Sequence, residues 1–530
     1  MSAILSADDL NDFISPGVAC IKPINEEKKL TERTSIGEVE IQIDENGKPL
    51  EISKIDGKQA NLSPAQISLS DCLACSGCIT SAEEVLVAQH SHNELVKVLQ
   101  EKESGTCDKI FVASISHQSR SSLATAYNLS VEEIDRLLLN LLINQFGFSY
   151  VVGTAVGRKL SLLYEAQGII EKKEANYEGP TLSSICPGWV LYAEKTHPHV
   201  LNRVSNIKSP QQITGCLLKS LAAQEQGVKR SEIYHLSIMP CFDKKLESAR
   251  PEQEDPETAD VDCVLTAKEL VTLLEQHQDR YLLFPSNFQS ILNSSESISN
   301  LYRKASVPNW PFSELSWTND SGSASGGYGF NYLIMTKIHL TLKYPDIYQE
   351  ANFSLNTVAG RNTDVYEIRL MHDGKTVASS AVVNGFRNIQ NLVRKLKPSN
   401  STVVKSNPLA SRRRARMGAS LSSQELADPS KCDYVEIMAC PNGCINGGGQ
   451  ISPASGVNNK DWINKALENY ATIPITDLSL SGNLSISSIM SWCQNFCRDF
   501  DISESRLLKT WFHELEPSND PNAVLLGAKW

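Results

Sequence analysis

The chain predicts an α/β fold built on mainly parallel sheets with helices on both faces. From Lys109 onward, short apolar runs of strand character alternate with longer amphipathic stretches, a pattern that produces parallel strands joined by crossover helices. Cys186, Cys241 and Cys440 each stand at or just past the carboxyl end of a predicted strand, which is where open parallel sheets hold their ligands. With 530 residues the chain exceeds one ordinary core, so two or three lobes are expected.

Residues 1 to 70 read as irregular and polar, rich in lysine and glutamate from Glu26 to Glu38, with one isolated cysteine, Cys20. Val39-Glu-Ile-Gln-Ile-Asp alternates apolar and polar, and Asn46-Gly47 then signals a hairpin turn. A cysteine run at 72–78 precedes a helix predicted from Ser81 to Gln100. Ile110 to Ile115 reads as a buried strand, and Val131 to Phe146 as a helix capped by Ser130. Strands follow at Ser149–Ala155, Thr181–Cys186, Ile233–Met239 and Val261–Thr266, with helices at Arg158–Glu171 and from Ala267. Arg250 to Asp260 reads as an acidic surface loop. Asn319 to Phe330 is a glycine-rich connection that lacks the Gly-Lys-Ser/Thr ending of a phosphate-binding loop. Val365–Leu370 and Thr376–Val383 read as a hairpin, followed by a helix at Phe386–Leu396. Residues 398 to 430 read as disordered, and their basic run Arg412 to Arg416 as a solvated loop. A buried strand is expected at Asp433–Ala439, and helical periodicity returns after Ile486.

The apolar fraction of 41% and charged fraction of 21% fit a soluble globular protein, and the formal net charge of -11 argues against direct nucleic-acid binding. No stretch approaches the roughly 20 apolar residues that span a bilayer, and the acidic start resembles neither a secretory signal nor a transit peptide. A cytoplasmic protein is expected. In that reducing setting the 14 cysteines favour metal ligation over disulfides where they cluster. Cys107, Cys216, Cys263, Cys432, Cys493 and Cys497 lie outside tight motifs and read as small buried hydrophobes. The histidines, His117, His197 and His199 among them, show no ligand pattern, and no catalytic triad or paired-carboxylate arrangement stands out.

Two sets of cysteines carry chemistry. Cys72-x2-Cys75-x2-Cys78 suits one face of a four-iron cube, whereas zinc usually takes two separated Cys-x2-Cys pairs. The position where a ferredoxin places its fourth cysteine is Ala82, so a remote ligand is needed, with Cys20 the better candidate and Cys107 its rival. The second set centres on Glu436-Ile-Met-Ala-Cys440-Pro-Asn-Gly-Cys444, followed by a glycine-rich turn through Gly447 and Gly449. Two thiolates cannot complete a tetrahedral site or a cube. Ser183-Ser-Ile185-Cys186-Pro187 and Met239-Pro240-Cys241-Phe-Asp-Lys244 supply the others. Proline and glycine beside these cysteines let backbone approach a cluster closely.

In that order, the segments around Cys186, Cys241 and Cys440/Cys444 resemble the three signature motifs of iron-only hydrogenases. Nearly the whole chain resembles the hydrogenase-like factors of cytosolic iron–sulfur protein assembly. The resemblance implies a two-lobed iron-only-hydrogenase-like fold: an N-terminal cluster-binding region (1–105), α/β lobes at 106–330 and 331–482, and a helical small-subunit-like region (483–530). It implies two [4Fe-4S] clusters, one on Cys20, Cys72, Cys75 and Cys78 and one on Cys186, Cys241, Cys440 and Cys444. In the hydrogenases the cysteine matching Cys444 bridges to a two-iron unit, lined by the positions of Lys244, Met239 and Met438. Their first motif usually holds two adjacent cysteines, the earlier of which relays protons. Here that residue is Ile185, which neither donates nor accepts a proton. The expectation is therefore a non-catalytic assembly factor rather than a hydrogenase, or a prelamin-binding protein of the related nuclear branch. Expected partners are a P-loop scaffold complex, a WD40 targeting-complex component and apo Fe–S client proteins, in the cytoplasm and also the nucleus. Trp530 reads either as a packing aromatic or as a docking residue for that targeting complex.

Overall fold

The computed structural model describes residues 39–43, 49–53, 59–61, 87, 90–250, 259–313, 315–397, 425–454, 456–479 and 485–514. The chain divides into two compact units, Met1–Thr80 and Ser81–Trp530. In the first, β1 (Val39–Ile43), β2 (Pro49–Ser53) and β3 (Gln59–Asn61) pair antiparallel in that order. The expected hairpin is the β1–β2 pair, with Val39 opposite Ser53 and Ile43 opposite Pro49. Cys20, Cys72, Cys75 and Cys78 lie outside the described residues.

The second unit opens with α1 (His92–Glu103). Of the helix predicted from Ser81 to Gln100, residues 81–86, 88 and 89 lie outside the described residues; α1 is N-capped by Ser91, which accepts from the Glu94 N–H at 3.3 Å, and runs past Gln100. The chain then lays down β4 (Ile110–Ile115), α2 (His117–Tyr127), α3 (Val131–Leu139), β5 (Tyr150–Gly153), α4 (Ala155–Glu174), β6 (Thr181–Leu182), α5 (Pro187–Thr196), α6 (Pro210–Gln226), β7 (Ile233–Met239), α7 (Asp243–Ser248), β8 (Cys263–Thr266) and α8 (Ala267–Gln276). Strands β5-β4-β7-β8 form a parallel sheet. Every residue of β7 is buried, as a parallel strand covered on both faces requires. The capping box of Ser130 and Glu133 starts α3 as predicted. The helix does not run unbroken to Phe146: after Leu139 it passes into a π-helical turn at Asn140–Gln145. Phe146 and Phe148 then donate to the carbonyls of Leu141 and Leu142 (both 2.9 Å), and both aromatic side chains enter the core.

The remainder comprises α9 (Phe288–Leu292), α10 (Ile298–Ala305), α11 (Tyr328–Lys343), β9 (Phe353–Ala359), β10 (Val365–His372), β11 (Lys375–Asn384), α12 (Phe386–Leu396), β12 (Tyr434–Met438), α13 (Asn459–Ala471), α14 (Ile486–Asp499) and α15 (Glu504–Leu508). A second, mixed sheet runs β6-β12-β11-β10-β9, parallel from β6 to β11 and antiparallel from β11 to β9. The predicted β10–β11 hairpin turns through Asp373 and Gly374, both at positive φ (48° and 76°), as a type I′ turn demands.

Three expectations need correction. The ladder of β6 ends at Leu182 rather than Cys186, because serine hydroxyls take over its pairing. Ser183 Oγ accepts from the Ile437 N–H (2.8 Å) and Ser184 Oγ donates to the Ile207 carbonyl (2.8 Å), which frees Ile185 and Cys186 from the sheet. Asp260, the end of the expected acidic surface loop, is buried at 2% exposure among Arg506, Arg230 and Lys208. Of the stretch read as disordered, 398–424 lies outside the described residues, whereas Glu425 pairs with Arg369 (2.8 and 2.9 Å) and the Ala427 N–H meets the Ala359 carbonyl at 3.1 Å. No described helix is long and apolar enough to cross a membrane.

Candidate metal centre

Carboxyl ends from both sheets deliver cysteines to one place. Strand β7 ends at Met239, and Pro240 and Cys241 follow before α7. Strand β12 ends at Met438 and Cys440 follows. Asn442 and Gly443, both left-handed (φ 61° and 76°), then reverse the chain into a short 3-10 turn carrying Cys444. Cys186, released from β6, becomes the N-cap of α5, with Pro187 in the first turn. The glycine-rich turn closes over the Cys241 loop. Gly449 N–H donates to the Pro240 carbonyl (3.0 Å), and a Cβ on Gly447 would stand 2.4 Å from that same oxygen.

The four thiols feel one another. Burial, then Asp243 and the other three cysteines, pushes the Cys241 thiol well above its ordinary range. Burial and Cys444 push Cys186 up to about 12, and burial with Cys186 and Cys444 pushes Cys440 up as well. Burial also raises Cys444, but the Ser325 hydroxyl and the Lys244 ammonium pull the other way. Backbone N–H groups already point at this ring of sulfur: Ala439 donates to Cys186 Sγ at 3.3 Å. Cys444 Sγ donates to Met438 Sδ at 3.5 Å.

Lys244 and Met239 line a cavity of about 60 Å³ beside Cys444, together with Ile185, Arg158 and Tyr328. It has room for a few waters. The Lys244 ammonium is engaged there by both Glu247 oxygens (2.9 Å each) and by the Ile185 carbonyl (3.1 Å). Arg158 is held by Asp320 at 2.7 Å.

Sequence reading missed the contribution of the glycine-rich connection. Ser325 Oγ accepts from the Cys444 N–H at 3.0 Å. Glu436, buried within β12, accepts from Ser323 Oγ and from the Gly329 N–H (2.9 Å). Ser321-Gly-Ser-Ala-Ser-Gly-Gly thus wraps the Cys440/Cys444 loop; the alternation of serine and glycine beside a cysteine motif was the available signal. Cys107, half-buried in the loop after α1, affects Lys102 and does not join the four thiols. Trp530 lies outside the described residues.

Chemically the donor set is one that an iron–sulfur cube takes, each of four thiolates binding a separate iron. The close backbone approach at Gly447 and Gly449 supplies the cradle.

Residues 109–448 match the family described as iron only hydrogenase large subunit, C-terminal domain. The chain is 65% identical, over the full length of both proteins, to the cytosolic Fe-S cluster assembly factor NAR1 of Debaryomyces hansenii. It belongs to the NAR1 family. The NAR1 of Yarrowia lipolytica is 44% identical, covering 97% of this chain and 98% of its own. That of Saccharomyces cerevisiae is 39% identical over 85% and 86%. Among solved structures, an apo form of a variant [FeFe]-hydrogenase HydA1 from Chlamydomonas reinhardtii superposes with a TM-score of 0.54. It is 20% identical and covers 80% of this chain and 99% of its own. The NAR1-family chain therefore has the iron-only-hydrogenase-like fold expected from its motifs.

Proposed function

We propose that this protein is a non-catalytic carrier or adaptor in cytosolic iron–sulfur protein assembly, holding two [4Fe-4S] clusters. The reading assigns Cys186, Cys241, Cys440 and Cys444 to one cluster, and Cys20, Cys72, Cys75 and Cys78 to the other. The observation that carries it is the convergence of four thiols beyond the strand ends, with Ile185, which carries no exchangeable proton, among the residues facing the adjoining cavity. A cube held there would supply an inorganic iron–sulfide core able to carry electrons or be passed on.

The chain's own groups would hold and shield that core. Ala439 N–H, with the Ser325 contact to the Cys444 backbone, orients the loops. Lys244 puts positive charge beside Cys444. Lys244 and Arg158 are engaged by carboxylates, and Ile185 offers no exchangeable proton, which supports the non-catalytic reading. In this reading the protein links an early P-loop scaffold complex to a late WD40-containing targeting complex, serving cytosolic and nuclear Fe–S clients. The α/β lobes divide at about residue 330, each contributing part of the second cluster's ligand set.

Iron, acid-labile sulfide and zinc measured on protein purified without oxygen test this directly. About eight irons with matching sulfide and no zinc are expected. Stoichiometric zinc with little iron would overturn the cluster reading. Hydrogen turnover, or infrared bands of iron-bound carbonyl and cyanide, would overturn the non-catalytic one.

A further inference from the structure

The Cys440 loop comes to the surface just after its first thiol. Cys440 is half-buried, and Pro441 and Asn442 are exposed before Gly443 returns the chain to the interior. Two other segments are bonded to this point. The Asn442 N–H donates to Asp364 Oδ1 at 2.7 Å, which ties the loop to the connection between β9 and β10. At the start of α12, the Gly385 N–H donates to the Met438 carbonyl at 2.8 Å, and a Cβ on Gly385 would stand 3.8 Å from Pro441. Asn362 Nδ2 donates to Asn388 Oδ1 at 3.1 Å and joins the two segments into one rim.

The rim is positively charged. Arg361 and Arg387 are both exposed, and neither forms an ion pair or a side-chain hydrogen bond among the described residues. Elsewhere on this lobe, Arg369 and Lys395 are matched by Glu425 and Asp428. Asp364, the carboxylate of the rim, is half-buried and taken up by the Asn442 N–H. The first turn of α12 also lacks a side-chain cap, so the positive end of that helix adds to the same field. In a chain of formal net charge -11, whose overall field repels acidic partners, this face is a local exception.

We propose that the rim of Arg361, Arg387, Pro441 and Asn442 is the docking surface for an acidic segment of a partner protein. The proposal deepens the assembly-factor reading and rests on it. A partner that gives or takes a cluster has to bring its own ligands to where the Cys440 loop is open. Two unpaired guanidiniums there steer an acidic segment into place and fix its orientation. Such rim charges act on encounter, so the association weakens as salt rises.

The test uses the full chain, purified without oxygen and carrying its iron, mixed with a fluorescent polyglutamate peptide that bears a photoreactive group. Fluorescence anisotropy is expected to show binding about tenfold weaker for the Arg361→Glu/Arg387→Glu protein than for wild type. The Arg361→Lys/Arg387→Lys protein should bind nearly as wild type does, and raised salt should weaken both. Cross-links should map to the segments around Arg361, Arg387 and Asn442. Equal binding by wild type and the double glutamate variant would overturn the surface, as would cross-links confined to the basic run Arg412 to Arg416. Iron measured on the same samples keeps the two readings apart. Full iron with no difference in peptide binding overturns this surface and leaves the cluster assignment standing.

Discussion

At the scale of single residues, the candidate metal centre depends on backbone positions where a side chain has no room. A methyl group at Gly447 would collide with the Pro240 carbonyl, 2.4 Å away, and that backbone cannot rotate aside. Gly447→Ala should therefore part the Cys241 and Cys444 loops and lower iron from about eight to about four per chain, read by iron and sulfide analysis. Lys244→Ala would leave Glu247 buried without its cation, at a cost of about 3–5 kcal/mol, measurable by denaturant unfolding. All four of these cysteines could be picked out in the sequence because proline and glycine mark their motifs. Ser325 and Glu436 could not, since their roles depend on a connection folding back onto a strand end more than a hundred residues downstream.

At the scale of elements, a polar seam crosses the parallel sheet between β4 and β7. His235 donates from Nδ1 to the Asp260 carbonyl (2.8 Å) and accepts at Nε2 from Ser114 Oγ (2.9 Å), whose oxygen also meets Ser237 Oγ at 3.0 Å. Burial lowers the His235 pKa to about 4. Its stabilising contribution is therefore complete above the ordinary histidine range near 6.5 and is lost as pH falls toward 4. Glu165, raised by burial to about 7, works in the opposite sense, so a variant is needed to separate the two. His235→Gln should reduce the stability lost between pH 7 and pH 5 by about 2 kcal/mol relative to wild type, measured by denaturant midpoints at each pH. Asp260 also secures α15. Arg506 reaches both its oxygens (2.8 and 2.9 Å), and although burial opposes the charge, Arg506, Lys208 and Arg230 hold its pKa well below the usual carboxylate range. Asp260→Asn should cost about 3–5 kcal/mol, seen as a lowered unfolding midpoint. The strands were legible because their apolar runs are short and bounded. The limits of β6 and α3 were not, because serine hydroxyls and a π-helical turn replace the regular ladders there.

At the scale of the whole molecule, alternating strands and helices disclosed the α/β class. The signature order of the cysteine motifs disclosed the hydrogenase-like arrangement. That two sheets would meet at their carboxyl ends was legible only through the cysteines, since periodicity carries no information about which sheets face each other. Removing Trp530 should weaken capture by the WD40-containing targeting complex in a pull-down, and unchanged capture would remove that residue from the docking surface. The spread of the thiols along the chain also has a consequence in time. Cys186 leaves the ribosome long before Cys444, by roughly ten to fifty seconds at ordinary rates of synthesis. A nascent chain thus holds an incomplete set of ligands for most of its birth, and iron delivered then would meet two sulfurs instead of four. Loading of all four thiols must wait until Cys444 has emerged. Once loaded, the inorganic core would cross-link segments born at opposite ends of that interval.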